Sequence, residues 1–349
     1  MKSLRVALMG CGRIAKRHAT VLSGQVEQAQ LVAVCDIVPE RAREFCKLYN
    51  VPCYPDLRAL ADAEEPDVIA VLTPSGDHAR HALLAGSGAP HVIVEKPLAL
   101  TCNDILDVRD YWLRTGVTFS TVHQNRYNLP VIAARKALNA GRLGKINLAT
   151  VRVRWCRQPD YYQDWHGTWR YAGGALANQA IHHMDLLLWL CGPIKSVYSI
   201  ASTTIAGIEV EDTLVSTLKF ASGALGTFEV TTSTRPVDLE GSLSILGTTG
   251  TIEIGGFACN KMLHFEFEDK LPTDFETATL CENPPDVYGF GHRAWYEDYC
   301  QHILAKQEPP ITWRDAYHAI EVISAMYESV ETGQVMSTHV ATPHVRLGK

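Results

Sequence analysis

The chain has 349 residues, with 32 Lys and Arg against 38 Asp and Glu, a formal net charge of −6. Hydrophobic residues make up 46% and charged residues 20%, which excludes a disordered chain, and so mildly acidic a protein lacks the field that holds a nucleic-acid backbone. No stretch approaches the ~20 continuous apolar residues of a membrane span.

Short apolar runs over 4–9, 31–35, 68–72, 91–95 and 118–122 read as strands, and the segments 15–22, 39–49, 77–85 and 102–114 between them show helical spacing. β-branched runs separated by helices predict βαβ units and a parallel sheet buried on both faces. After residue 123 the pattern changes. A helix over 131–140 and a strand over 146–157 lead to one long helix over 174–190, closed by Cys191-Gly192-Pro193. Strands follow over 196–201, 212–220, 224–232, 240–247, 250–254 and 263–268, with turns at 221–224 and 247–250, and helices over 291–305 and 313–332 end the pattern. The expected fold class is therefore α/β in a first domain, 1–123, followed by an α+β domain, 124–349, on a large open, mostly antiparallel sheet. No low-complexity linker separates them, so the halves are expected to pack closely around a site.

Ten cysteines are scattered without a Cys-x-x-Cys pair, which suits reduced thiols better than a disulfide framework or a zinc knuckle. Leu8-Met9-Gly10-Cys11 faintly mimics a lipoprotein box, but the apolar run before it is shorter than the ~7–15 residues of a signal core. The expected location is cytoplasmic.

Gly10-x-Gly12-x-x-Ala15 follows the first strand and opens the first helix. Gly10 permits the tight turn, Gly12 admits a pyrophosphate, Ala15 allows close packing, and the helix N-terminus carries partial positive charge for the anion. Asp36, at the end of the second strand, stands where a carboxylate accepts from the adenosine ribose hydroxyls. Ile37 follows, and no Arg is placed to hold a 2′-phosphate, so the pattern predicts a Rossmann domain binding NAD rather than NADP. Two more segments fall at strand C-termini, where doubly wound sheets bind ligands: Thr73-Pro74-Ser75-Gly76-Asp77-His78 and Glu95-Lys96-Pro97.

Together with Gly173-Gly174-Ala175-x-x-Asn178-Gln179-x-x-His182-x-x-Asp185, these motifs resemble the glucose–fructose oxidoreductase/inositol dehydrogenase (Gfo/Idh/MocA) family over essentially the whole chain. The resemblance implies an NAD-dependent oxidoreductase acting on a sugar or polyol hydroxyl, with a second domain that binds substrate and supports a homo-oligomer, a tetramer in preference to a dimer. It implies Lys96 beside the nicotinamide and the reacting carbinol, His182 as acid/base, and Lys96-Pro97 as a cis peptide. It implies a cofactor site of Gly10, Gly12, Arg13, Ile14, Asp36, Thr73, Pro74, Ser75, His78, Glu95, Lys96 and Gln124.

In a continuous helix Asn178, His182 and Asp185 fall at i, i+4 and i+7 and share one face. A neutral imidazole suits removal of a hydroxyl proton, and Lys96 suits stabilisation of the developing alkoxide. The family more often has Asp where this chain has Asn178; an amide carries no charge, so proton transfer falls to His182 or Lys96. His183 points elsewhere and is expected to pack. No metal is expected at His182, His183 and Asp185, because adjacent histidines on a helix diverge by about 100°.

Gln124-Asn125-Arg126-Tyr127-Asn128, Arg157-Gln158-Pro159-Asp160-Tyr161-Tyr162, Asp238-Leu239-Glu240-Gly241-Ser242 and Val287-Tyr288-Gly289-Phe290-Gly291-His292 are similar to a bacterial branch of the family in lipopolysaccharide O-antigen sugar pathways. That branch oxidises the C3 hydroxyl of a UDP-linked N-acetylglucosaminuronate. The likeness implies a UDP-linked sugar uronate as substrate, with Asn125, Arg126, Arg157, Tyr161, Tyr162, Asn178, His182, Tyr288, Gly289 and His292 around it. Arg154, Arg170 and Arg235 are further candidates for its anions, since guanidinium forks suit phosphate and carboxylate. The alternatives are another sugar or cyclitol dehydrogenase on the same scaffold, or an NAD-using glycosidase.

Overall fold

A computed structural model describes residues 3–205, 207–275, 277–284, 288–339 and 345–349, with the side chains of 273 and 275 left aside. It divides into two compact units: Met1–His123 with His292–Tyr317, and Gln124–Gly291 with His318–Lys349. The expected second domain, 124–349, is therefore not one unbroken body.

In the first unit, β1 (Leu4–Met9), α1 (Arg13–Leu22), β2 (Ala29–Cys35), α2 (Pro39–Tyr49), β3 (Cys53–Tyr54), α3 (Leu57–Glu64), β4 (Val68–Val71), α4 (His78–Ala85), β5 (His91–Val94), α5 (Cys102–Thr115) and β6 (Thr118–Thr121) follow one another. The strands pair in parallel in the order β3-β2-β1-β4-β5-β6, the doubly wound order whose direction reverses beside β1. β4 is wholly buried and β5 nearly so, which is why both read as unbroken apolar runs. The sequence reading passed over β3, only two residues long, and α3, although Asp56 caps α3 by accepting from Ala59 N at 2.8 Å. The segment His292–Tyr317 completes this unit through the Ser120 hydroxyl, which donates to Ile311 O at 2.7 Å, and through Tyr296, whose hydroxyl lies 2.7 Å from His18 Nδ1.

The second unit holds α6 (Leu129–Asn139), β7 (Ile146–Arg154), a π turn (Ala175–Gln179), α7 (Ile181–Cys191), β8 (Ile194–Ser202), β9 (Thr213–Phe220), β10 (Leu225–Thr231), β11 (Glu240–Gly247), β12 (Gly250–Gly255) and β13 (Lys261–Phe267). In chain order α8 (Gly291–Leu304) follows, which from His292 on belongs to the first unit, and then α9 (Trp313–Thr332), which belongs to the second unit from His318 on, as does strand β14 (Met336–Ser337). The eight-stranded sheet runs β13-β12-β11-β7-β10-β9-β8-β14, antiparallel except for β7 beside β10. Alternation along β9 and β10 buries Leu214, Leu218, Phe228 and Val230 and exposes Val215 and Leu225, the pattern of a sheet with one covered face. α7 covers β7 and β11. Among the described residues no helix is long and apolar enough to cross a membrane.

The expected helix over 174–190 is interrupted. Residues Ala175–Gln179 form the π turn, with Ala180 N bonded to Ala175 O at 3.0 Å, and the α-helix begins only at Ile181. One residue more than an α-turn is spent there, so Asn178 is not at i−4 of His182 on a regular helix. His182 and Asp185 keep the i, i+3 relation on α7.

Candidate active site

The glycine turn of the first unit is held by the strands around it. Gly10 N donates to Cys35 O and Leu72 N to Met9 O, each at 2.8 Å. Gly10 has φ +101°, and a Cβ there would stand 2.7 Å from Leu72 O, so no other residue keeps the turn this close. Around a Cβ at Gly12 the space is open to 4 Å, and Gly12, the N-cap of α1, supplies no side-chain cap. A small open cradle at a helix N-terminus fits a pyrophosphate. Asp36 accepts from Cys11 N and Val38 N, each at 2.7 Å, so its carboxylate is locked at the end of β2. Arg13 is exposed and Ile14 half-buried at the start of α1.

The two strand-end segments are tied together by His78. Its ring nitrogens lie 2.6 Å from Pro97 O and 2.7 Å from Thr73 O, and burial pushes its pKa down. His78 is 1% exposed, so it fixes the turn from within. Thr73 and Pro74 remain half-buried, Ser75 is buried, and Lys96-Pro97 is a cis peptide. Glu95 also turns inward. Its Oε1 lies 3.1 Å from His18 Nε2 and 3.7 Å from His292 Nε2, and its Oε2 accepts Lys96 N at 3.0 Å. Burial alone would raise the Glu95 carboxyl, but the His18 and His292 donors hold it well below the ordinary range. The donor atoms of His18, Glu95 and His292 lie within 4.8 Å of one another. His18 Nε2 is within hydrogen-bond reach of the carboxylate, and Glu95 is tied to the Lys96 amide as well, so the cluster is read as a brace for Lys96. His292, expected around the substrate, is 1% exposed within this brace, and Glu95 is 6% exposed.

In the second unit, Gln124 and Asn125 are buried and the Gln124 amide donates to His182 Nε2 at 3.4 Å. Arg126 forms a bidentate pair with Asp185, at 2.8 and 2.5 Å, and lies over the Trp189 ring. Its fork is thereby paired to Asp185 on α7. Arg154 likewise binds Glu229 and Glu240. Arg157 donates to Gln179 Oε1 at 3.0 Å and to Asp238 at 3.1 Å, and the Tyr161 hydroxyl donates to Asn178 Oδ1 at 3.0 Å. Gln179 Nε2 donates to the Tyr161 hydroxyl at 2.7 Å. Arg157, Gln179, Tyr161 and Asn178 thus form one polar chain ending at the π turn. The Tyr162 hydroxyl lies 2.9 Å from Thr232 Oγ1, so its ring is anchored to β10's end. Arg170 is exposed, and Arg235 donates to Arg157 O at 3.1 Å. Tyr288 is half-buried and Gly289 has φ +65°, while Val287 lies outside the described residues. His183 is fully buried edge-on to Trp155, its pKa lowered to about 4 by burial, in keeping with packing.

Sequence reasoning passed over His18, Glu211 and Tyr327. Glu211 is 5% exposed, and burial, with a smaller push from Asp212, raises its carboxyl to about 7 against bonds from Leu176 N and Tyr327. Glu209, Glu331 and Arg346 line the same cavity of about 190 Å³. The adjacent Gly173-Gly174 pair was the available signal: a Cβ on Gly174 would stand 1.8 Å from Glu211 Oε2.

A glycine turn fit for a dinucleotide pyrophosphate in a doubly wound unit, with a lysine at the end of a neighbouring strand, is the arrangement of an oxidoreductase's nicotinamide-binding domain. Residues 4–123 match the family model "Oxidoreductase family, NAD-binding Rossmann fold", and residues 131–253 match "GFO/IDH/MocA C-terminal domain". The chain therefore belongs to the Gfo/Idh/MocA oxidoreductase family, and its first unit is an NAD-binding Rossmann domain. It is similar to the WlbA dehydrogenase from Chromobacterium violaceum, solved with NADH and UDP-GlcNAcA: TM-score 0.90, 34% identity, covering 97% of this chain and 96% of that one. WlbA from Bordetella pertussis, solved with the same two molecules, gives a TM-score of 0.89 at 33% identity over 97% and 100% of the two chains. D-glucoside 3-dehydrogenase of Escherichia coli is 27% identical over 95% of this chain and 96% of its own.

The raised Glu211 carboxyl has a testable consequence. Unfolded, the group ionises above its ordinary 4.5; folded, it keeps its proton to about 7, so it subtracts stability as pH rises through that window and nothing further above it. Glu211→Gln removes this loss. The stability of the variant relative to the parent, measured by denaturant unfolding, is expected to rise between pH 5 and pH 7.5; a difference constant across that range contradicts it.

Proposed function

We propose that this protein oxidises the C3 hydroxyl of UDP-N-acetyl-2-amino-2-deoxyglucuronate to the 3-keto sugar, with NAD as hydride acceptor. The carrying observation is the likeness over 97% of the chain to two WlbA dehydrogenases, each solved with NADH and UDP-GlcNAcA. Two curated relatives, D-glucoside 3-dehydrogenase and glucose-6-phosphate 3-dehydrogenase, support the same carbon.

The residues divide the work as follows. Bound NAD supplies the hydride acceptor. Gly10, Gly12, Arg13 and Ile14 receive the pyrophosphate at the α1 N-terminus, Asp36 accepts from the adenosine ribose, and Thr73, Pro74 and Ser75 border the rest of the cofactor, with Gln124 as a further contact. Lys96, its amide fixed by Glu95, donates to the carbinol oxygen and lowers the energy of the alkoxide as hydride leaves. His182, oriented by the Gln124 amide, takes the hydroxyl proton. Asn178, an amide, positions the sugar without titrating, and Tyr161, Tyr162, Asn125, Tyr288 and Gly289 contribute further contacts. Arg157 and the exposed Arg170 supply charge for the substrate's anions. Ile200, Val215 and Leu225 are 63%, 51% and 57% exposed on the sheet, a face suited to a second copy in a homo-oligomer, a tetramer in preference to a dimer.

Mixing the purified chain with NAD and this UDP-sugar is expected to raise absorbance at the NADH wavelength. If NAD binds but no NADH forms, the substrate assignment is wrong, and oxidation of free sugars or cyclitols in its place selects the broader reading. Release of free sugar without net NADH selects glycoside cleavage.

His182→Asn is expected to lower turnover about 10²–10⁴-fold while NADH binding persists. A pH–rate profile unchanged in that variant transfers the proton-accepting role to Lys96.

A further inference from the structure

The π turn before α7 carries Asn178 and Gln179 and leads directly into His182, yet its N-cap residue, Gly174, supplies no side-chain cap. A helical turn beginning inside a protein has four amide groups to satisfy. Here two residues distant in sequence satisfy all four. Gly174 N and Ala177 N donate to the Tyr327 hydroxyl at 3.2 and 3.3 Å. Leu176 N donates to Glu211 Oε1 at 2.9 Å, and Ala175 N to the Glu211 carbonyl at 3.0 Å. The Tyr327 hydroxyl in turn donates to Glu211 Oε1 at 3.0 Å. It therefore uses its one proton and both lone pairs. Both residues are buried, and Gly174 leaves no space for a side chain that would push the carboxylate away.

We propose that Glu211 and Tyr327 are positioning residues for the dehydrogenase reaction, setting the π geometry that presents Asn178 against His182. The proposal rests on the reading that these two residues meet the substrate. Without the clamp, the turn has no reason to keep its extra residue. Relaxation to a regular α-turn rotates Asn178 by about 100° relative to α7. The lost quantity is alignment, so its signature lies in the chemical step and not in cofactor binding.

The test uses the full chain with Tyr327→Phe, Glu211→Leu and the conservative Glu211→Gln, which keeps an acceptor oxygen. Hydrogen exchange is measured over 174–180, alongside NADH affinity, melting temperature, and kcat and KM with NAD and the UDP-sugar. Tyr327→Phe and Glu211→Leu are expected to speed exchange in the turn about tenfold or more and to lower kcat about 10–10²-fold, with NADH affinity unchanged. Glu211→Gln is expected to return kcat close to the parent. Unchanged exchange in the turn overturns the proposal, as does faster exchange with the parent kcat. Loss of melting temperature, NADH affinity and kcat together, without recovery in Glu211→Gln, also overturns it, because that marks a general structural role. If the parent leaves the UDP-sugar unoxidised, the substrate reading fails by itself. Exchange over 174–180, with kcat on whichever sugar or cyclitol the parent does oxidise, then decides the clamp.

Discussion

An ionised carboxylate out of reach of water must find its donors within the protein, and in the first unit that demand falls on Glu95. Its partners come from α1 through His18, from α8 through His292, and from the next residue's own amide, Lys96 N. The Tyr296 hydroxyl sits against the far nitrogen of His18, so the brace extends one layer outward. Removing one donor leaves the buried carboxylate short of a partner, at a cost of about 1–3 kcal/mol or more. The brace therefore accounts for two features at once: the return of His292–Tyr317 to the first unit, and the fixed backbone of Lys96 at the end of β5. His78 adds the second tie, between the Thr73 carbonyl and the carbonyl of Pro97.

The second unit meets the same kind of demand differently. Burial raises the Glu211 carboxyl to about 7, and with Tyr327 it satisfies a row of backbone amides. Arg126 and Asp185, by contrast, form a close charged pair that joins the segment after β6 to α7. Several arginines that composition offered for anions are thus consumed within the fold. A net charge of −6 gives little guidance to what a local cleft binds; the identity and pairing of each guanidinium decide it.

Much of this architecture was legible in the sequence because the signals were local and periodic. The wholly apolar β4, the alternation along β9 and β10, and the glycine turn between β1 and α1 each carry their reason within a few residues. What escaped depended on contacts distant in sequence. The π turn is imposed by Glu211 and Tyr327, some 35 and 150 residues away, so spacing alone predicted an unbroken helix and a shared face for Asn178 and His182. His292 was expected at the substrate because it ends a segment similar to the family's UDP-sugar branch. Only the fold brings it to Glu95. β3 was too short to show a period.

In the proposed function the reacting carbon is C3 of a UDP-linked sugar uronate, and its hydrogen goes to NAD. This assignment is tested most directly by supplying the UDP-sugar deuterated at C3 and weighing the reduced cofactor by mass spectrometry, a readout that does not depend on which step limits turnover. The NADH is expected to carry the deuterium. NADH free of deuterium, or deuterium arriving instead from a sugar labelled at C4, contradicts it.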